Sequence, residues 1–489
     1  VSHRTPYVLD DPPSPADVLA VAAGRQLALG PGALARIAAG RAVVERALAA
    51  DAPVYGLTTA TGALKHLGVG DQGAFNRGLI ERSATGHGPH VPAIVVRATM
   101  VARVAGFARG GTGVRPAVAA AYVAALNAGF VPRVRSIGSL GQSDLAPCGE
   151  IARALIGQGP DGDAFRAAGL EPIVPQPKDG IGMVSANAYS VGWACVALDR
   201  ADRALRSLDA AAALSYEALP GNASALDPAV ADARPYPGLR ASLERVRGLL
   251  VGGEVLGGGV AGALQDPLCF RVVPQTHGTA RQALRHATEL VSIELASAGD
   301  NPLVSSEQDR LLSTGNFDSS TYGAGLDYAR IGFAHAVTIA IERTQKLLNG
   351  AFTGLLTGLR ERPETTDSAL VLVGYTAAAA GSEARLLAAP VTLELSSTSV
   401  DAGVDDRMTM TSLAARRLDE QASLGLHVAA AEMVCAAQAI DLRGRSAALG
   451  TGTGSIYALV REHVAFAPDG TALPGDLAAL ERGLADRCP

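Results

Sequence analysis

Long alanine-rich helical runs restrict what this chain can fold into more than any other feature. In the stretch 409–446, Leu413, Leu418, Leu424, Val428 and Ala431 recur near the helical repeat, with Arg416, Arg417, Asp419 and Glu420 between them. The same pattern predicts helices over about 185–218, 275–298, 321–358 and 368–389. Helices of roughly 25–35 residues exceed the globular mean of about 11–12 and call for a bundle. Hydrophobic residues make up 48% of the chain and aromatics only 4%, so the core is built from Ala, Leu and Val. Alanine costs least in a helix, and its small side chain lets neighbouring helices approach closely. Few stretches alternate with the period of two that strands require, and no repeat of 20–50 residues is visible. The expectation is a mainly α protein.

Charge and cysteine content exclude several function classes. The net charge is −5 over 489 residues, with no Lys/Arg cluster above background, so neither nucleic acid nor an anionic membrane surface is an expected partner. Cys148, Cys195, Cys269, Cys435 and Cys488 are scattered, with no C-x-x-C and no zinc-type spacing to the dispersed histidines. No metal site is expected, and the odd cysteine count reads as reduced and cytoplasmic. No uninterrupted apolar run reaches the roughly 18–20 residues of a membrane span, and residues 1–6 begin no apolar leader segment. Gly252-Gly253 and Gly257-Gly258-Gly259 are read as flexible loop, because no strand precedes them and no Gly-Lys-Ser/Thr follows.

The stretch 136–152 carries the chemistry. Gly138-Ser139-Leu140-Gly141 and Asp144-Leu145-Ala146-Pro147 flank the pair Gln142-Ser143. These flanks resemble the signature of the aromatic amino acid ammonia-lyase family, the histidine, phenylalanine and tyrosine ammonia-lyases and aminomutases. In that family an Ala-Ser-Gly inside the signature cyclises into the electrophilic group MIO (4-methylideneimidazole-5-one). Here two residues stand where the family has three, and no Ala-Ser-Gly occurs anywhere in the chain.

The resemblance extends over roughly residues 50–420 and implies a role for particular positions. Val54-Tyr55-Gly56 looks like the family's mobile tyrosine loop, which makes Tyr55 the expected catalytic base; Thr58, Ala60 and Thr61 depart from the pattern. Ser83, in Arg82-Ser83-Ala84-Thr85-Gly86, falls where the family selects the substrate ring. Pro177-Lys178-Asp179-Gly180 matches Pro-Lys-Glu-Gly, but the following Asn-Gly-Thr becomes Ser185-Ala186-Asn187, placing the amide at Asn187. Gln265-Asp266-Pro267-Leu268-Cys269-Phe270-Arg271 resembles Gln-Asp-Pro-Tyr-Ser-x-Arg, so Gln265 and Arg271 are expected to bind substrate, Arg271 by forking onto a carboxylate. Phe317, in Gly315-Asn316-Phe317, is expected to line the pocket. Asp405, in Asp405-Asp406-Arg407-Met408, stands at the glutamate position of histidine lyases and is expected to hold a cationic group or move a proton.

The resemblance further implies a histidine ammonia-lyase-like fold with a long central helix bundle and a smaller mixed N-terminal domain. Residues 1–190 would carry the Tyr55 loop and the degenerate Gln142-Ser143 loop, and residues 191–489 the bundle and C-terminal part. A homotetramer with sites shared between subunits would follow. Ring closure to MIO needs the backbone nitrogen of the third residue to attack the carbonyl of the first, and a glycine there lets the chain bend. Asp144 stands at that place, read as the cap of the helix beginning at Leu145, so MIO is expected to be absent and no cofactor is expected. The leading expectation is a lyase that eliminates a better leaving group from a small carboxylate or amino-acid-derived substrate, as the family's ergothionase-like branch expels trimethylamine. Alternatives are another elimination, hydration or cyclisation in specialised biosynthesis, an ordinary MIO-dependent lyase, and a non-catalytic homologue.

Overall fold

A computed structural model describes residues 5–257, 261–367, 369–393 and 401–487. Gly258, Gly259 and Cys488 of the sequence reading lie outside the described residues. Helices dominate, as their patterning requires. The longest run over Ala188–Ala218, Val273–Leu295, Ser320–Leu348 and Thr411–Leu442. Among the described residues strands are confined to three two-stranded pairs: Tyr7–Leu9 parallel to Leu27–Leu29, and His87–His90 and Leu303–Ser305 antiparallel to Arg135–Ile137 and Arg310–Leu312. Residues 170–180 form a connector without a strand. Pro172, Pro175 and Pro177 in that connector deny a ladder its donors.

The chain divides into two compact units, and neither is a continuous half. One comprises Val1–Val196, Thr288–Leu326 and Pro390–Arg416; the other Ala197–Ala287, Asp327–Ala389 and Arg417–Pro489. The division at 190 read from the sequence falls near the end of the first stretch, but two later segments join that unit. They are held there by hydrogen bonds: Thr112 Oγ1 and Arg103 Nη2 donate to Asp300 at 2.7 and 2.9 Å, and Met410 N donates to Leu140 O at 2.9 Å.

The core of the first unit centres on the helix Ala93–Ala108, whose Val95, Met100, Val104 and Phe107 are at most 1% exposed. The second unit is cored by alanine and leucine, including Ala210–Leu214 and Val428–Ala431, all inaccessible to solvent. One of its buried ion pairs is held by several hydrogen bonds. Glu432 accepts from Arg343 Nε and Nη2 at 2.6 and 2.9 Å and from Ser215 Oγ at 2.6 Å. Ion pairs buried this way survive only with such multiple hydrogen bonds.

Two stretches, Asp179–Ala218 and Thr411–Leu442, are long and apolar enough by composition to cross a membrane. Their most apolar windows are 89% and 78% buried within the protein, as in core helices. Cys148, Cys195, Cys269 and Cys435 are free and buried. Among the described residues no group of three His, Cys, Asp or Glu side chains is placed to hold a metal ion.

Candidate active site

A cavity of about 560 Å³ opens in the first unit. Its wall takes residues from segments far apart in sequence: the 55–64 loop, one face of the helix Gln72–Ser83 from Phe75 to Ser83, residues 142–145, the helix Asp179–Val184 with Ser185, and Asn301, Phe317, Asp401 and Asp405. Tyr55, Ser83, Gln142, Ser143, Phe317 and Asp405, singled out from the sequence, all line it. Asn187 stands immediately behind the wall, donating Nδ2 to Phe317 O at 2.7 Å and accepting from Ser143 N at 3.0 Å. Gln265 and Arg271 belong to the second unit and do not line this cavity. Gln265 is exposed, and Arg271 Nε donates to the carbonyl of Asp266 at 2.9 Å.

The Tyr55 loop folds on itself. Thr58 Oγ1 accepts from Val54 N at 2.8 Å and donates to Ala52 O at 2.5 Å, and Gly62 N donates to the Tyr55 hydroxyl at 3.0 Å. Gly62 has φ +61, and a side chain there would run into the Asp401 carboxylate. Asp401 in turn accepts from Ala63 N at 2.8 Å, closing the loop over its own segment. Burial pushes the Tyr55 phenol above its ordinary value; the Gly62 hydrogen bond pulls it down, and the charges of Asp405 and Asp401 push it up again. Burial also raises the Asp405 carboxyl, with repulsion from Asp401 and Asp406 adding to it.

The loop that replaces the family tripeptide is tightly held. Ser143 takes φ +69, a left-handed conformation that costs a non-glycine residue energy, and its Oγ lies 3.2 Å from Ser185 Oγ. The Gly141 carbonyl accepts from Ser319 Oγ at 2.6 Å and Thr409 Oγ1 at 2.8 Å. Gln142 Nε2 donates to Asp318 Oδ2 at 3.1 Å, and a carboxylate that only accepts orients that amide with its NH2 toward Asp318. Partial burial works against the Asp318 charge, but hydrogen bonds from Ser320 and Gln142 and the Arg407 guanidinium hold it below the usual carboxylate range.

Asp144 departs from its expected role. Its side chain makes no cap hydrogen bond to the helix Leu145–Leu155. It is fully buried and turns inward, accepting from Ser190 N and Ser190 Oγ at 2.7 Å each and from Ser139 Oγ, while its own N–H donates to Ala186 O at 2.7 Å. The carboxylate serves as an anchor between two chain segments, because that geometry offers it three donors where the helix end offers fewer.

Two charged wall residues, Arg82 and Asp401, were not singled out from the sequence. Arg82 adjoins Ser83, so its place beside a pocket position was the one available signal. Asp401 carried none; only the fold brings it against the 62–63 backbone, 338 positions away.

The family model for aromatic amino acid lyases matches residues 14–462. A probable histidine ammonia-lyase of Halobacterium salinarum is 34% identical, over 96% of this chain and 93% of its own. A histidine ammonia-lyase of Streptomyces avermitilis is 36% identical, over 87% and 86%. Among solved structures, the ergothioneine-degrading ergothionase of Treponema denticola superposes with a TM-score of 0.92 at 26% identity, covering 99% of this chain and 98% of that one. A histidine ammonia-lyase of Trypanosoma cruzi superposes with a TM-score of 0.88 at 25% identity, covering 98% and 93%.

Proposed function

Because the chain belongs to the aromatic amino acid lyase family, we propose that it is a carbon–nitrogen lyase working without MIO on a cationic, amino-acid-derived carboxylate. The observation that carries this reading is the state of the 141–144 loop. Closure of the ring would need the Asp144 nitrogen to reach the Gln142 carbonyl. That N–H is bonded to Ala186 O at 2.7 Å, and the Asp144 side chain is anchored by Ser190 and Ser139. A residue with a side chain there also lacks the freedom a glycine would bring. The residues present do not fit the group.

Without an electrophile the nitrogen must leave unaided, which favours a substrate whose nitrogen is already quaternary. In the proposed reaction the Tyr55 phenolate takes the β-proton, the released C–H pair forms the Cα–Cβ double bond, and the Cα–N pair departs on a neutral tertiary amine. Asp405 and Asp401 hold the cation before it leaves. After burial, their charge adds to what raises the Tyr55 phenol above its ordinary value; a bound cation offsets that charge and lowers the barrier to forming the phenolate. The relative structure of ergothionase supports this reading, whereas the names of the sequence relatives favour ordinary histidine deamination. By the family resemblance Arg271 of a neighbouring subunit would contribute a carboxylate clamp in a cytoplasmic homotetramer.

The test is spectroscopic and kinetic. The purified protein is expected to show no near-UV band sensitive to borohydride, and to release trimethylamine from trimethylated aromatic amino acids or histidine betaine faster than ammonia from the parent amino acids. A borohydride-sensitive band with ammonia release from histidine would establish the MIO-dependent alternative. Tyr55→Phe is expected to lower kcat by about 10²–10⁴-fold, with substrate still bound.

A further inference from the structure

Arg82 and Asp405 line one cavity, carry opposite charges, and are not paired with each other. Among the described residues no carboxylate lies within ion-pair distance of Arg82, although Asp401 and Asp405 share its cavity. The guanidinium is nevertheless placed. Arg82, exposed in the last turn of the helix Gln72–Ser83, lies back against Gly78 one turn earlier: a Cβ there would stand 2.7 Å from Arg82 Nη1. An exposed cation on the wall of a cavity, with the carboxylates of the same wall beyond ion-pair distance, is open to an anion arriving with the ligand. The planar fork of an arginine suits an oxyanion such as a carboxylate.

We propose that Arg82 is a specificity-determining residue that binds an oxyanion group of the substrate, within the same subunit that supplies Tyr55 and Asp405. The inference rests on reading this cavity as the substrate site. The oxyanion is either the α-carboxylate or an acidic group on the substrate side chain, since Arg82 adjoins Ser83, the position that the family resemblance ties to side-chain choice.

Calorimetric binding to the full chain, in the Tyr55→Phe background to prevent turnover, tests the assignment with two probe pairs. The first, L-phenylalanine and phenethylamine, differs only in the α-carboxylate. The second, 4-carboxy-L-phenylalanine and L-phenylalanine, differs only in a side-chain carboxylate. Arg82→Gln is expected to erase, by about 10- to 100-fold, the preference for the carboxylate-bearing member of one pair, and the pair affected identifies the source. Arg82→Lys should restore part of it, and Gly78→Ala, which displaces the guanidinium, should weaken it with Arg82 still present. Arg271→Gln serves as comparison. An unchanged preference in Arg82→Gln, or no preference in either pair before Arg82 is changed, overturns the proposal. A borohydride-sensitive band would overturn the MIO-free reading while leaving these binding ratios untouched, so the two failures are distinguishable.

Discussion

Tyr55 sits in an environment that opposes its ionisation: partial burial, with two carboxylates in electrostatic reach and a single backbone donor at 3.0 Å in its favour. Removing one of those negative charges should lower the phenol's pKa. Asp405→Asn is therefore expected to move the rising limb of the kcat/KM profile to lower pH while raising KM for cationic substrates; a limb that stays in place would exclude coupling between the two groups. Glu294 makes a second residue-scale case. It borders a small cavity of about 50 Å³ shared with Asn187, Arg103 and Asp300, room for one or two waters. Burial pushes its carboxyl up to about 7 from 4.5. The folded state thus binds the proton more tightly than the unfolded chain does, and stability from this group is lost as pH rises from about 4.5 to about 7. Glu294→Gln, which mimics the protonated form, should flatten that part of the Tm–pH curve and stabilise the protein by about 1–3 kcal/mol at pH 8.

Among the elements, helix contacts made through missing side chains are the most sensitive points. Gly192, early in the helix Ala188–Ala218, faces the backbone of the helix Ala93–Ala108, and a Cβ there would stand 2.5 Å from Thr99 N. Backbone cannot yield as a side chain tip would. Gly192→Ala is expected to cost about 1–3 kcal/mol, visible as a lower Tm, although alanine is intrinsically the better helix former. A variant as stable as the parent would show that these helices can separate freely. The helix Leu145–Leu155 teaches a related point. Its preceding Asp144 has the chemistry of a cap, yet Ser190 and Ser139 capture the side chain. Local sequence described the donor-seeking group correctly; which donors it met depended on a segment more than 40 positions away.

For the whole molecule, the helix Ala369–Leu387 leaves Leu372, Tyr375 and Leu386 exposed at 63%, 64% and 74%. An apolar face of this kind calls for cover, in keeping with the homotetramer proposed from the family resemblance. Sedimentation of the purified chain should give a tetramer, and Leu386→Glu should shift it toward smaller species. A monomeric parent, or a tetramer indifferent to the charge, would count against that assembly. Helix content, the alanine-leucine core and the Tyr55 loop as part of a cavity wall were legible in the chain because each is written in contiguous residues: a period near 3.6, a composition, a short motif. The joining of segments 288–326 and 390–416 to the first unit was not legible, nor were Arg82 and Asp401 as cavity residues. Those depend on contacts such as Ala63 to Asp401, which no local pattern encodes. The sequence by itself thus determined the family, the mainly helical class and the loss of the Ala-Ser-Gly, since these are properties of neighbouring residues. Only the tertiary structure decided which charges share one cavity without pairing, because that is a matter of distance in space.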